Sequence, residues 1–136
     1  MTYLADTDEV IDYLKGRFRA VITIEPLLAD GVAISVITFG EVYEGIYTGL
    51  QREQQEEVFR RFLEGVPVLD VTREIARRFA ISRGFLRKER LLIPAPDLLI
   101  AATALDHDLV VITRNVSHFD RVPGLRLYQG QPEANV

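Results

Sequence analysis

The chain has no cysteine and only two histidines in 136 residues. Without cysteine there are no disulfides, no thiolate nucleophiles and no thiolate metal sites. Two histidines alone do not make a typical structural zinc site. The composition is compatible with a reducing interior, and a cytoplasmic location is expected. No apolar run approaches about 18 residues, so no membrane span is expected. The first residues lack the basic-then-apolar order of a secretory leader. No charge sign dominates, since 20 acidic residues face 16 basic ones for a formal net charge of −4. That balance argues against wholesale coating of nucleic acid. One segment departs from it: Arg73, Arg77, Arg78, Arg83, Arg87, Lys88 and Arg90 are opposed only by Glu74 and Glu89. Such a segment either steers a phosphate backbone locally or forms a solvated helix face.

What is present suits one domain over residues 1–136, with 48% apolar residues to build a core and a loose polar tail from about Gln129. Tyr3-Leu4-Ala5 reads as a first strand, after which Asp6 or Thr7 caps a helix with Val10, Ile11 and Leu14 on its inner face. A weaker helical stretch follows from Phe18 to Leu28, with Pro26 marking a new start, and Asp30-Gly31 stops it. Val32 to Ile37 is a β-branched second strand. Thr38 and Glu41 have capping-box spacing at the head of a helix carrying Phe39, Val42, Tyr43 and Ile46. A polar helix from Gln51 to Glu64 pairs with it as a hairpin. Val66 to Val71 is a third strand with its proline near an edge, and Thr72 opens the arginine-rich helix. Asp97 opens an apolar run, Leu98 to Leu105, read as a buried helix. Leu109 to Ile112 is a fourth strand, Ser117 to Phe119 a turn and Leu125 to Tyr128 a short fifth strand. Strands alternating with helices predict an α/β domain with a mainly parallel sheet of four or five strands.

Three acids fall at comparable places. Asp6 follows the first strand, Glu41 lies a turn into the helix after the second, and Asp97 opens the buried helix before the fourth. Parallel strands bring such positions to one sheet edge. Carboxylates that converge in a low-dielectric cleft must protonate or share a cation. Mg²⁺ or Mn²⁺ takes oxygen ligands and, once bound, supports phosphodiester hydrolysis. Each acid also has a purely structural reading, Asp6 and Asp97 as N-caps and Glu41 as the capping-box acid.

The motifs around these acids resemble those of PIN-domain ribonucleases. Leu4-Ala5-Asp6-Thr7 looks like the opening motif of that family, and Ser35-Val36-Ile37-Thr38-Phe39-Gly40-Glu41 like the second. Pro96-Asp97-Leu98-Leu99-Ile100-Ala101-Ala102-Thr103-Ala104 looks like the third, and Val111-Ile112-Thr113-Arg114-Asn115-Val116-Ser117-His118-Phe119 like the fourth. The set is most similar to VapC-type toxins. The resemblance implies a three-layer α/β/α fold, an endoribonuclease dependent on Mg²⁺ or Mn²⁺, RNA (tRNA included) as substrate, a homodimer and a cognate antitoxin protein. It implies Asp6, Glu41 and Asp97 as metal-binding acids. Many relatives carry a further acid in the fourth motif, at the place of Asn115 or close after it; this chain has Asn115 there, with His118 following and Asp120 as the nearest carboxylate. Relatives commonly have Asn where this chain has Asp8, which is expected near the site as an auxiliary acid. Thr7 and Thr113 are expected to add hydroxyl contacts, and Arg83, Arg87 and Lys88 to touch the RNA backbone. Phe85 and Tyr43 can stack on bases or pack within the protein.

Two other readings compete. Asp6-Thr7-Asp8 superficially resembles the D-x-D opening of haloacid dehalogenase-like phosphatases, with Asp6 as nucleophile, Asp8 as general acid and Lys88 as a late lysine. The third is a metal-free interaction module that keeps the fold without catalysis.

Overall fold

The computed structural model describes residues 1–130, so most of the expected tail lies outside the described residues. Five strands run Tyr3–Ala5 (β1), Val32–Ser35 (β2), Val68–Leu69 (β3), Val110–Ile112 (β4) and Arg126–Leu127 (β5). They lie in the order β3-β2-β1-β4-β5, and every neighbouring pair is parallel. The strands are short and largely buried, as a sheet covered on both faces requires.

Side-chain alternation splits the core in two. Leu4, Ala33 and Val111 face one layer with Leu86, Leu98, Ala101 and Phe119. Ala5, Val32, Ile34 and Ile112 face the other with Val10, Val42, Ile46 and Phe59. The first layer is built from Arg73–Lys88 (α5), Ala95–His107 (α6) and Val116–Phe119 (α7); the second from Thr7–Leu14 (α1), Val36–Thr48 (α3) and Arg52–Leu63 (α4). Phe18–Ile24 (α2) and a 3-10 stretch, Glu25–Asp30 with Pro26 in its first turn, lead from α1 into β2. The architecture is the expected three-layer α/β/α sandwich. Helix α6 buries Leu98, Ile100, Ala101, Ala102, Thr103 and Ala104, so its apolar surface has few outward positions to waste. Among the described residues, no helix is long and apolar enough to cross a membrane.

Several boundaries differ from expectation. β2 stops at Ser35, whose hydroxyl accepts from the Ile37 N–H and caps α3 three residues before Thr38. Thr38 is therefore inside the helix and fully buried, and Glu41 is no capping-box acid. The cap of α6 is Pro94, which places Asp97 within the first turn rather than at its boundary. Edge strand β3 pairs only at Val68 and Leu69. The stretch expected as a turn at Ser117 is the single-turn helix α7.

Candidate active site

The strand order turns at β1: β2 and β3 lie to one side of it, β4 and β5 to the other. Open parallel sheets bind ligands outside the carboxyl ends of strands at such a switch. Asp6 follows β1 there, and Thr113 follows β4. A cleft of about 220 Å³ opens at this edge, lined by Asp6, Thr7, Asp8, Glu41, Glu44, Asp97 and Asn115.

Asp6 is 5% exposed. Its Oδ1 accepts from the Glu9 N–H at 3.0 Å, so it does cap α1. Its Oδ2 accepts from the Thr113 hydroxyl at 2.5 Å, and that hydroxyl oxygen in turn accepts the Asn115 N–H at 2.8 Å. The cap and the site are one carboxylate used twice. Burial pushes the Asp6 carboxyl up to about 6, beyond what the Thr113 and Glu9 donors offset, and the Asp8 and Glu9 charges add to the rise.

Glu41 is held from α1. The Thr7 hydroxyl donates to Glu41 Oε1 at 2.5 Å and lies 2.9 Å from the Thr38 hydroxyl. A hydroxyl has one proton, so Thr38 must donate to Thr7. The relay Thr38–Thr7–Glu41 fixes the carboxylate at the mouth of the cleft. Asp97, in the first turn of α6, meets the Nδ1 of His118 through its Oδ2 at 2.8 Å.

Behind the site, Arg114 bridges two acids of α1. Its Nε lies 3.4 Å from Glu9 Oε2, and its guanidinium also bonds Asp12. Glu9 is 3% exposed and its Oε1 has no hydrogen-bond partner. Burial raises its pKa, and the Arg114 charge works against that rise. The bridge ties the loop carrying Thr113 and Asn115 to the helix that Asp6 caps.

The structure thus brings Asp6, Glu41, Asp97, Asp8, Thr7 and Asn115 to one cleft, with Thr113 bonded to Asp6. Asp120 is exposed at the end of α7 and does not line the cleft. Neither do Arg83, Arg87 and Lys88, which lie along α5, where Arg83 sits over the Phe79 ring. Tyr43 packs against Phe39 and Phe59 and donates to Glu56, which supports packing over base stacking. Sequence reasoning missed Glu44, although its place one turn after Glu41 puts it on the same face. It also gave no part to His118, Thr38, Glu9 or Arg114 in the site.

Five carboxylates line the cleft and no lysine or arginine does. The remaining donors are hydroxyl and amide oxygens, a set suited to a hard divalent cation and not to a thiolate-seeking one. Among the described residues, no three of these groups stand together as a ready-made cation cage. Asp6 and Glu41 each accept from a threonine hydroxyl instead, and Asp97 pairs with the His118 imidazole.

Residues 3–125 match the family model of the PIN domain, which sets the class. Ribonuclease VapC1 of Methanocaldococcus jannaschii is 35% identical over 127 residues, covering 92% of this chain and 85% of that protein. The solved structure of VapBC2 from Rickettsia felis, bound to a DNA fragment from their promoter, superposes with a TM-score of 0.87 at 26% identity, covering 96% of this chain and 100% of the other. A toxin-antitoxin complex from Klebsiella pneumoniae gives a TM-score of 0.70 at 31% identity, covering 91% and 95%. The chain belongs to the PIN-domain family, among its VapC-type ribonucleases.

Proposed function

We propose that the chain is an endoribonuclease dependent on Mg²⁺ or Mn²⁺, hydrolysing RNA phosphodiester bonds in the cytoplasm as the toxin of a toxin–antitoxin pair. The observation that carries this reading is the cleft of five carboxylates, free of lysine and arginine, at the strand switch. A bound divalent cation supplies an activated water and stabilises charge on a phosphoryl oxygen. Asp6 and Asp97 are the residues to hold it. Glu41, with one oxygen pinned by Thr7, orients the attacking water with the other. Thr113 keeps Asp6 turned into the cleft. Arg83, Arg87 and Lys88 contact the RNA backbone, tRNA included, away from the cleavage centre.

The phosphatase reading needs an accessible nucleophile. Asp6 is buried with both oxygens accepting hydrogen bonds, which speaks for the nuclease.

The antitoxin has a place to dock. A groove of about 600 Å³ between α1, α3 and α4 is lined by Ile11, Leu14, Val42, Ile46 and Val58 with glutamines at its rim. It suits an amphipathic segment laying apolar side chains inward. Ile81 and Phe85, exposed on α5, with Leu91 and Leu92 just beyond it, supply apolar area for the homodimer.

The test is product chemistry. The purified chain with Mn²⁺ or Mg²⁺ should leave a 5′-phosphate and a 3′-hydroxyl on RNA, and Asp6→Asn or Asp97→Asn should abolish cleavage. A 2′,3′-cyclic phosphate product would defeat water attack. Failure to bind Mn²⁺ in a titration would favour the metal-free interaction module.

A further inference from the structure

We infer that His118 replaces a fourth-motif acid with a hydrogen-bond donor: it positions Asp97 and does not itself ligate the cation. The inference rests on the cation-dependent reading of the site and deepens it.

His118 Nδ1 lies 2.8 Å from Asp97 Oδ2 and 2.8 Å from the Asn115 side-chain amide. A carboxylate oxygen accepts, so Nδ1 is the ring nitrogen that carries the proton. A protonated Nδ1 cannot accept from an amide N–H as well. The Asn115 amide therefore presents its oxygen to the ring, a choice of orientation that leaves the heavy-atom positions unchanged. Its other end, 3.4 Å from the Ser117 hydroxyl, then presents nitrogen.

Asp120 does not line the cleft, and neither does His118. The fourth motif consequently places no carboxylate there. What it contributes is a donor fixed to one oxygen of Asp97, leaving the other clear of that bond. Partners that orient a ligating carboxylate matter nearly as much as the ligands themselves. The chain's departure from many relatives at this motif is thus a change of chemistry, from an added charge to an added N–H.

The substitutions that test this are specific to one atom. In His118→Asn the amide nitrogen falls near the place of Nδ1; in His118→Gln it falls near Nε2; His118→Ala has neither. In the metal-free wild type, ¹⁵N chemical shifts at pH 8 should show the Nδ1–H tautomer for His118, with exposed His107 as internal reference. Mn²⁺ binding, followed by electron paramagnetic resonance, should be within about threefold of wild type for His118→Asn and weaker by about tenfold or more for His118→Gln and His118→Ala. Bound Mn²⁺ should show no coupling to a directly ligated ¹⁴N. Thermal unfolding establishes that each variant is folded, and the tautomer measurement needs no variant at all. An Nε2–H tautomer, a ligated-nitrogen coupling, or a folded His118→Asn as weak as His118→Ala each overturns the assignment while leaving the cation reading standing. A wild-type chain that binds no Mn²⁺ overturns the cation reading and the assignment with it.

Discussion

Asp6→Asn should make the metal-free protein more stable at neutral pH and, under the proposed function, abolish cleavage. Burial holds the Asp6 carboxyl at about 6, against 3.8 for the same group in solvent. The folded state thus binds this proton more tightly than the unfolded state does. Asp6 favours folding most below pH 3.8, loses that advantage as pH rises toward 6, and contributes nothing further above it. At about 1.4 kcal/mol per pKa unit, the ionised carboxylate costs about 3 kcal/mol at pH 8 relative to its protonated form. Asparagine avoids that charge and is as good an N-cap as aspartate, so the bond from the Glu9 N–H survives. Its amide nitrogen faces Thr113, which must turn its hydroxyl to accept, and a charge-assisted bond becomes an ordinary one. The net gain is then about 1–2 kcal/mol, or about 4–8 °C in Tm for a chain of this size. Urea unfolding in EDTA at intervals from pH 4 to 8 measures it. The gap between variant and wild type should be widest at pH 8, vanish near about pH 5 and reverse in sign toward pH 4. Saturating Mn²⁺ should stabilise wild type alone and shrink or reverse the gap at pH 8. A variant less stable than wild type throughout, or a gap independent of pH, would refute the claim that desolvation governs this carboxylate.

Thr7→Val should leave the buried Thr38 hydroxyl without its acceptor and release Glu41. We expect about 1–2 kcal/mol lost in urea unfolding and about tenfold lower cleavage, with Thr7→Ser restoring both. Arg114→Ala should cost about 2 kcal/mol at neutral pH by leaving Glu9 buried without its cation. Adding Glu9→Gln should recover much of that loss, and strictly additive effects in the double-mutant cycle would count against the pair. Replacing Arg83 and Arg87 by glutamate should weaken RNA binding and flatten its dependence on salt, measured by fluorescence anisotropy between 50 and 200 mM. An unchanged slope would make the basic face of α5 merely solvated surface.

The acids were legible in the sequence because each follows from local pattern alone. A short β-branched or apolar run, then an acid, then a helical period is enough to put Asp6, Glu41 and Asp97 at one edge once the strands are parallel. The same local logic misjudged where α3 begins. Thr38 and Glu41 have capping-box spacing, but Ser35 caps the helix one turn earlier and Thr38 is buried. Several polar residues in this motif have cap chemistry, and only packing decides among them. Similarly, Ser117 to Phe119 is too short for a period to distinguish one helical turn from a bend.

The partners of the acids were not legible, and the reason is physical. His118 reaches Asp97 across 21 residues, and Thr113 reaches Asp6 across 107. Such contacts depend on side-chain directions from different elements, which spacing along the chain does not encode. They nevertheless decide how the cleft survives without a cation. Hydroxyl and imidazole donors on Asp6, Glu41 and Asp97 offset part of the carboxylates' repulsion and desolvation, and Arg114 offsets the charge of Glu9. The offset is incomplete, since Asp6 still titrates near 6. A site assembled this way is folded and partly satisfied without a cation, yet retains a carboxylate whose ionisation a cation would favour. Under the proposed cation reading, the unfavourable electrostatics of the cleft are part of its affinity: substitutions that relieve them should stabilise the fold and weaken cation binding together.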